Sequence, residues 1–171
     1  MLEEFSEISP LSIQKNFIDL IGNGWMLITS GTKDSFNTMT ASWGAIGNLW
    51  NKPVAFCFIR PQRYTFNFME KNVFFSLSFF KEKYRNALTV CGNVSGRNQD
   101  KVKKAGLTPL EEPSTKTIFF KEAFLVLICR KIYFQDIKKE SILDYSILEN
   151  YEANDFHRMY IGEIVRCLNK L

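Results

Sequence analysis

The stretch Asn37–Thr65, NTMTASWGAIGNLWNKPVAFCFIRPQRYT, decides how the rest of the chain is read. It opens with small hydroxyl and apolar residues around Trp43 and runs through an apolar segment, Val54–Ile59, with the character of a buried strand. It ends in RPQRYT, which places Arg60, Arg63, Tyr64 and Thr65 within one turn and the start of a helix. Hydroxyl-rich strand ends followed by clustered arginines suit a phosphate-bearing aromatic ligand. Guanidinium forks and hydroxyls take the phosphate, while apolar and aromatic side chains cover the ring. Spacing alone also fits the commoner fate of an arginine pair, a solvated turn. The adjacent hydroxyls at a helix start favour the anion reading, because free amides there bind phosphate well.

On the N-terminal side, Ser12–Ile21 puts Ile13, Phe17, Leu20 and Ile21 on one helical stripe between Pro10 and Gly22. Trp25–Thr29 reads as a strand that breaks at Ser30-Gly31, with Thr32-Lys33-Asp34-Ser35 as a turn, before Thr38–Trp43 resumes an extended course. Gly44 and Gly47 flank an irregular connection, and Pro53 introduces the strand Val54–Ile59.

On the C-terminal side, Tyr64–Lys71 has helical spacing, and Val73–Phe80 is an apolar strand in which Ser76 and Ser78 share a face and bond locally. Helical segments follow at Tyr84–Val90 and Asp100–Ala105. The remaining strands are Ile118–Phe120, Phe124–Phe134 and Met159–Leu168, with a bulge or kink at Gly162. About six strands without regular β–α alternation predict a mainly β fold, an antiparallel barrel with α decoration, and one domain over residues 1–171.

Composition bounds the function. A 46% hydrophobic, 23% charged chain is an ordinary globular composition, but 15% aromatic is high. Part of that excess is core, and aromatic walls also suit a flat ring. The net charge of +4 favours an anionic ligand slightly without the concentrated basic stripe that nucleic acid requires. Cys57, Cys91, Cys129 and Cys167 are far apart, form no C-x-x-C pair and read as buried free thiols. With a single histidine, a Cys/His metal site has little to draw on, so no metal is expected. The acidic start MLEEFSEISP has no apolar signal core and no run reaches membrane-spanning length, so the expected compartment is the cytoplasm.

Further candidates are weaker one by one. Trp43 and Trp50 read first as core or interface residues. Ser95–Lys101 is a polar loop leading into a helix, either a capped helix start or a second anion contact through Arg97 or Lys101. His157 sits in the polar run Asn154–Arg158, where a lone histidine is usually solvated, yet acid–base chemistry near neutrality would look to it first. No G-x-S-x-G elbow, G-x-G-x-x-G or phosphate-binding P-loop is present.

Three pieces carry a resemblance: Asn37-Thr38-Met39-Thr40-Ala41-Ser42-Trp43, Asn51-Lys52-Pro53-Val54-Ala55-Phe56, and Arg60-Pro61-Gln62-Arg63-Tyr64-Thr65. Together they resemble the flavin reductase-like family of FMN-binding split β-barrels, over most of the chain from about Gly24 to about Val165. Ser95–Lys101 resembles the family's SGR-x-x-DK loop. Asp155-Phe156-His157 with Tyr160–Ile164 resembles its D-H…I-G-E-V segment, except that Phe156 stands between the Asp and the His.

The resemblance implies FMN as cofactor. Asn37, Thr40, Ala41, Ser42 and Trp43 would line the isoalloxazine and ribityl chain. Arg60, Pro61, Arg63, Tyr64 and Thr65 would form the phosphate turn, with Lys101 adding a polar contact. His157 would face the flavin where a donor approaches. It further implies a homodimer and an oxidoreductase of the flavin reductase or flavoredoxin type, taking electrons from NAD(P)H or another donor to an acceptor. The alternatives are a non-catalytic FMN module or electron carrier and, further off, a barrel that binds single-stranded nucleic acid.

Overall fold

The computed structural model describes residues 4–171, so the first three residues of the acidic N-terminus lie outside it. Two hairpins frame the site. In the first, β2 (Met26–Thr32) and β3 (Ser35–Ala41) pair antiparallel from Met26 against Ala41 to Thr32 against Ser35. The strand therefore continues through Ser30-Gly31-Thr32, where a break is expected from composition. Gly31 permits this: its φ is +113°, and a Cβ there would lie 2.3 Å from the Ser35 carbonyl oxygen. A glycine in the last pairs of a tight hairpin gives a closer turn.

The second hairpin, β4 (Gly44–Leu49) and β5 (Lys52–Ile59), replaces the irregular connection expected around Gly44 and Gly47. Its two turn residues, Trp50 and Asn51, both have positive φ, 53° and 57°. That is the signature of the turn whose twist matches paired strands. A tryptophan at such a position carries no turn signal in the sequence.

The sheet is antiparallel throughout. Its order is β3-β2-β6-β9-β10-β5-β4, with β6 (Phe74–Phe79), β9 (Leu125–Asp136) and β10 (Arg158–Lys170) in the centre. The first half of β10 pairs with β5 and its end pairs with the short β1 (Phe5–Glu7), so one edge of the barrel is split. The predicted irregularity at Gly162 is real: the β9–β10 register shifts between Ile161 and Gly162. A Cβ at Gly162 would lie 2.5 Å from the Phe75 ring and 2.8 Å from Cys129 Cβ, so only glycine fits the crossing. A small separate pair, β7 (Pro109–Glu111) and β8 (Ile118–Phe120), covers one flank.

Alternation along the strands sorts the core onto two faces. Met26, Ile28, Phe75, Leu77 and Phe79 fill the barrel interior with Cys57, Cys129, Cys167 and Tyr160. Leu27, Val126 and Ile128 face outward, against Phe119, Phe120 and Leu88. Each such side chain contributes roughly 1.5–3 kcal/mol on burial. All four cysteines are buried free thiols, as expected. Ser76 and Ser78 do not bond locally. Ser76 Oγ donates to the Ile118 carbonyl at 2.6 Å and ties β8 to β6, while buried Ser78 Oγ has no partner among the described residues.

Four helices decorate the sheet. The expected helix from Ser12 begins later, as α1 (Phe17–Gly22), because Asn16 caps it, Oδ1 accepting from the amides of Ile18 and Asp19. α2 (Tyr64–Lys71) has the bounds read from sequence. α3 (Arg85–Asn93) lies against β3, and α4 (Lys101–Lys104) starts at Asp100, which caps Lys103 N. Between β9 and β10, residues 137–157 form a strap of 3-10 turns, the longer at Tyr145–Tyr151. Among the described residues no helix is long and apolar enough to cross a membrane, and no three His, Cys, Asp or Glu groups converge as metal ligands.

Candidate flavin site

Where β3 ends, the chain leaves the sheet through Ala41, Ser42 and Trp43 and opens a cavity of about 420 Å³. Thr40, Ala41, Ser42 and Trp43 form one wall, Phe58 of β5 a second, and Leu88, Thr89 and Gly92 of α3 a third. Thr40 Oγ1 donates to the Leu88 carbonyl at 2.5 Å, which fixes α3 to the strand end. Trp25 closes the rim in a left-handed conformation, φ 63°, with the Arg85 guanidinium 4.2 Å from its ring centroid. Bulky residues hold positive φ only where surrounding structure enforces it. Trp25, Phe58 and the α3 residues carry no motif, so sequence reading missed them. The positive φ of Trp25 has no sequence signature at all.

His157 reaches this cavity from the strap. It is 8% exposed, so a solvated loop histidine is the wrong picture. Its ring lies 4.9 Å from the Trp43 ring, and Nδ1 is 3.0 Å from the Tyr151 hydroxyl. Burial, and then the charge of Arg60, pull its pKa down to about 4. Burial therefore favours the uncharged imidazole at neutral pH.

A second, smaller pocket of about 170 Å³ adjoins the first through Arg63, Gly92 and Asn93. Its floor is a chain of buried polar contacts. Asn37 Nδ2 donates to Thr65 Oγ1 at 2.7 Å, with both residues buried. Gly96 closes onto them, since a Cβ there would stand 2.1 Å from Asn37 Oδ1. Lys101 is 4% exposed, and Nζ donates to the Cys91 carbonyl at 3.3 Å. Burial first, and the like charge of Arg63 beside it, lower its pKa to about 8. Arg63 donates to the Gly92 carbonyl at 2.8 Å. Its own pKa is lowered by burial and by Arg60. Arg97 lies over the Tyr64 ring and donates to the Gln62 carbonyl. Among the described residues, neither Arg63, Lys101 nor Arg97 meets a carboxylate.

Arg60 differs. It lines the larger cavity, but Nη1 pairs with Asp155 Oδ2 at 2.5 Å and Nη2 donates to the Asn150 carbonyl at 2.8 Å. The Gln62 amide donates to the same carboxylate. Arg60 thus fastens the strap and stands at the wide end of the site, away from the small pocket. Pro61 contributes no side chain to either space. It shapes the turn, in which Arg63 N bonds the Arg60 carbonyl at 3.0 Å. Trp50 is remote from both pockets, 57% exposed and edge-on to Tyr133.

The arrangement can hold an elongated ligand with a flat, mostly apolar ring at the wide end and a dianion at the narrow one. A buried ammonium and a guanidinium that satisfy only carbonyls favour an anion strongly, because their desolvation is otherwise uncompensated.

Comparison with known proteins identifies the family and the fold. A family model described as the flavin reductase like domain matches residues 18–170. The flavoredoxin of Methanosarcina acetivorans superposes with a TM-score of 0.68 at 20% identity, over 86% of this chain and 68% of its own. An FMN-binding domain of a flavin reductases-like enzyme from Shewanella baltica gives 0.71 at 14% identity, over 97% and 77%. The NADH:FAD oxidoreductase of Streptomyces globisporus, solved with NAD and FAD fragments, gives 0.65 at 14% identity, over 85% and 74%. No curated protein matches the sequence.

Proposed function

Because the chain belongs to the flavin reductase-like family, a split-barrel fold, we propose that it is an FMN-dependent oxidoreductase that passes electrons from a reduced nicotinamide donor to an acceptor. The observation that carries this reading is the junction of an aromatic-walled cavity with a pocket in which buried Lys101 and half-buried Arg63 meet no carboxylate among the described residues.

In this reading Arg63, Thr65 and Lys101 hold the phosphate, with the first amides of α2 and the Arg97 guanidinium at its margin. Asn37 fixes Thr65. Thr40, Ala41 and Ser42 offer small side chains and backbone along which the ribityl chain and ring edge lie. Trp43 and His157 border the ring. Arg60, held by Asp155, supplies positive potential at the ring end without leaving the strap. When bound, the flavin supplies two-electron hydride chemistry. The protein orients the ring, excludes water with its aromatic rim and holds an uncharged imidazole beside it. A second copy of the chain is the proposed partner, completing the open side of the cavity.

The test is an absorption spectrum after adding FMN and removing the excess, followed by anaerobic NADH and NADPH. Retained flavin bands that bleach with a nucleotide are expected. Bands that persist would leave a carrier or storage role, and a colourless protein would remove the tight-binding reading.

A further inference from the structure

The family's D-H pair is interrupted here by Phe156, and the structure shows what the extra residue does. Phe156 stacks on Tyr151, with ring centroids 4.5 Å apart and planes 23° from parallel. Tyr151 lies edge-on to His157 and is 6% exposed. The Arg60 guanidinium lies 5.4 Å from the Tyr151 ring centroid, while its own N–H groups are taken by Asp155 and Asn150. The His157 carbonyl accepts from Ile137 N at 2.9 Å, which anchors the backbone at this point. Tyr151, Phe156 and His157 therefore form one packed unit on the strap.

The direction of the Tyr151–His157 hydrogen bond follows from satisfaction of buried donors. Among the described residues the Tyr151 hydroxyl has one partner, His157 Nδ1 at 3.0 Å. If Nδ1 carried the proton, the hydroxyl could only accept, and its own buried hydrogen would be left without a partner. Burial raises the phenol pKa, so the hydroxyl keeps its proton. The hydroxyl therefore donates to Nδ1, and the ring proton of the neutral imidazole resides on Nε2. Among the described residues no hydrogen bond engages Nε2, and His157 lines the cavity.

We propose that Tyr151 is a positioning residue that locks His157 in the Nε2–H tautomer, making it a fixed hydrogen-bond donor that selects cavity ligands carrying an acceptor oxygen, such as the carboxamide of a nicotinamide. The tautomer is a property of the chain alone; only the identity of the ligand rests on the flavin reading.

His157 is the sole histidine, so its ring nitrogens are read without assignment in protein labelled with ¹⁵N-histidine. In the flavin-free protein the spectra should show a protonated Nε2 and an unprotonated Nδ1 from pH 6 to pH 8. The charged groups that face the ring are Arg60 and Asp155, which are paired with each other. Tyr151→Phe keeps the stack on Phe156 and removes the hydroxyl, so both tautomers should appear. The same variant should raise KM for NADH about tenfold with little change in kcat, the effect of one lost orienting hydrogen bond. A proton on Nδ1 in the wild type, a ring titrating near its ordinary value, or a variant whose tautomer is unchanged would each overturn the assignment. A correct tautomer in a protein that binds no FMN would uphold the lock and sink the flavin reading separately.

Discussion

Arg60 and Arg63 leave the same turn three residues apart and are prepared for opposite tasks. Arg60 meets Asp155 and the Asn150 carbonyl, so its charge is matched within the protein. Among the described residues Arg63 meets only the Gly92 carbonyl, and it stands in the small pocket with buried Lys101. The difference teaches that an arginine's type and spacing announce an anion site less well than its lack of a counter-charge. A paired guanidinium holds a loop, whereas buried cations that satisfy only carbonyls await an external anion.

The sharpest way to break this contrast is to remove the cations one at a time. Lys101→Met and Arg63→Ala should each weaken FMN binding by about 2–3 kcal/mol, or roughly 30- to 150-fold, as the loss of charge-assisted bonds to phosphate. Arg60→Ala should weaken it by less than about fivefold, because its charge is already engaged. Riboflavin, which lacks the phosphate, should bind all three variants nearly as well as wild type. Fluorescence titration with both ligands decides, and equal losses for Arg60 and Arg63 would erase the distinction.

A smaller effect is expected at the floor of the pocket. Gly96→Ala places a methyl group against Asn37 Oδ1, whose amide is held by Thr65 Oγ1 and the Thr38 carbonyl. Asn37 must shift and carry Thr65 with it, so FMN affinity should fall about tenfold while riboflavin is spared.

The pH dependence sharpens the comparison further. Lys101 titrates at about 8 in the folded chain against a model-compound value of 10.5. Phosphate favours the charged amine, so FMN affinity should be flat between about pH 7 and pH 8, where the phosphate is a dianion, and decline above it. The flavin-free fold should respond with the opposite sign. Between pH 8 and 10.5 the unfolded chain binds more protons at this group, so stability rises with pH across that window. Both slopes should vanish in Lys101→Met, measured by titration and by urea unfolding.

The ring end gives a second stability signal, at acid pH. His157 titrates at about 4 when folded and 6.5 when unfolded, so its neutral burial is harmless above pH 6.5 and stability is lost as pH falls from 6.5 to 4. His157→Gln should flatten that part of the acid limb, again by urea unfolding.

The legible parts of the chain were those in which local chemistry and tertiary role coincide. Tyr64–Lys71 had helical spacing directly after a turn, and α2 has those bounds. Gly162 is a real irregularity, because a ring and a neighbouring strand press on the place where its side chain would be. The hairpin turns were misread because their conformations come from pairing: Gly31 continues a strand, and Trp50-Asn51 form a tight turn without a glycine. In the site, Thr40–Trp43, Arg60, Arg63–Thr65, Lys101 and His157 line the two spaces, whereas Asn37 and Pro61 line neither, and Trp25, Phe58 and α3 arrive from elsewhere in the chain. Nothing in their neighbours announces them.

By itself, the sequence determined a mainly antiparallel barrel, four buried thiols and the residue types of an anion-and-ring site, because periodicity and motif spacing are local properties. Only the tertiary structure decided which arginine is neutralised, that Lys101 is buried beside Arg63, and that Tyr151 and Phe156 fix the imidazole of His157. Those are matters of burial and of which charge faces which. Both depend on groups as much as 95 residues apart, as Arg60 and Asp155 are, being brought within a hydrogen bond.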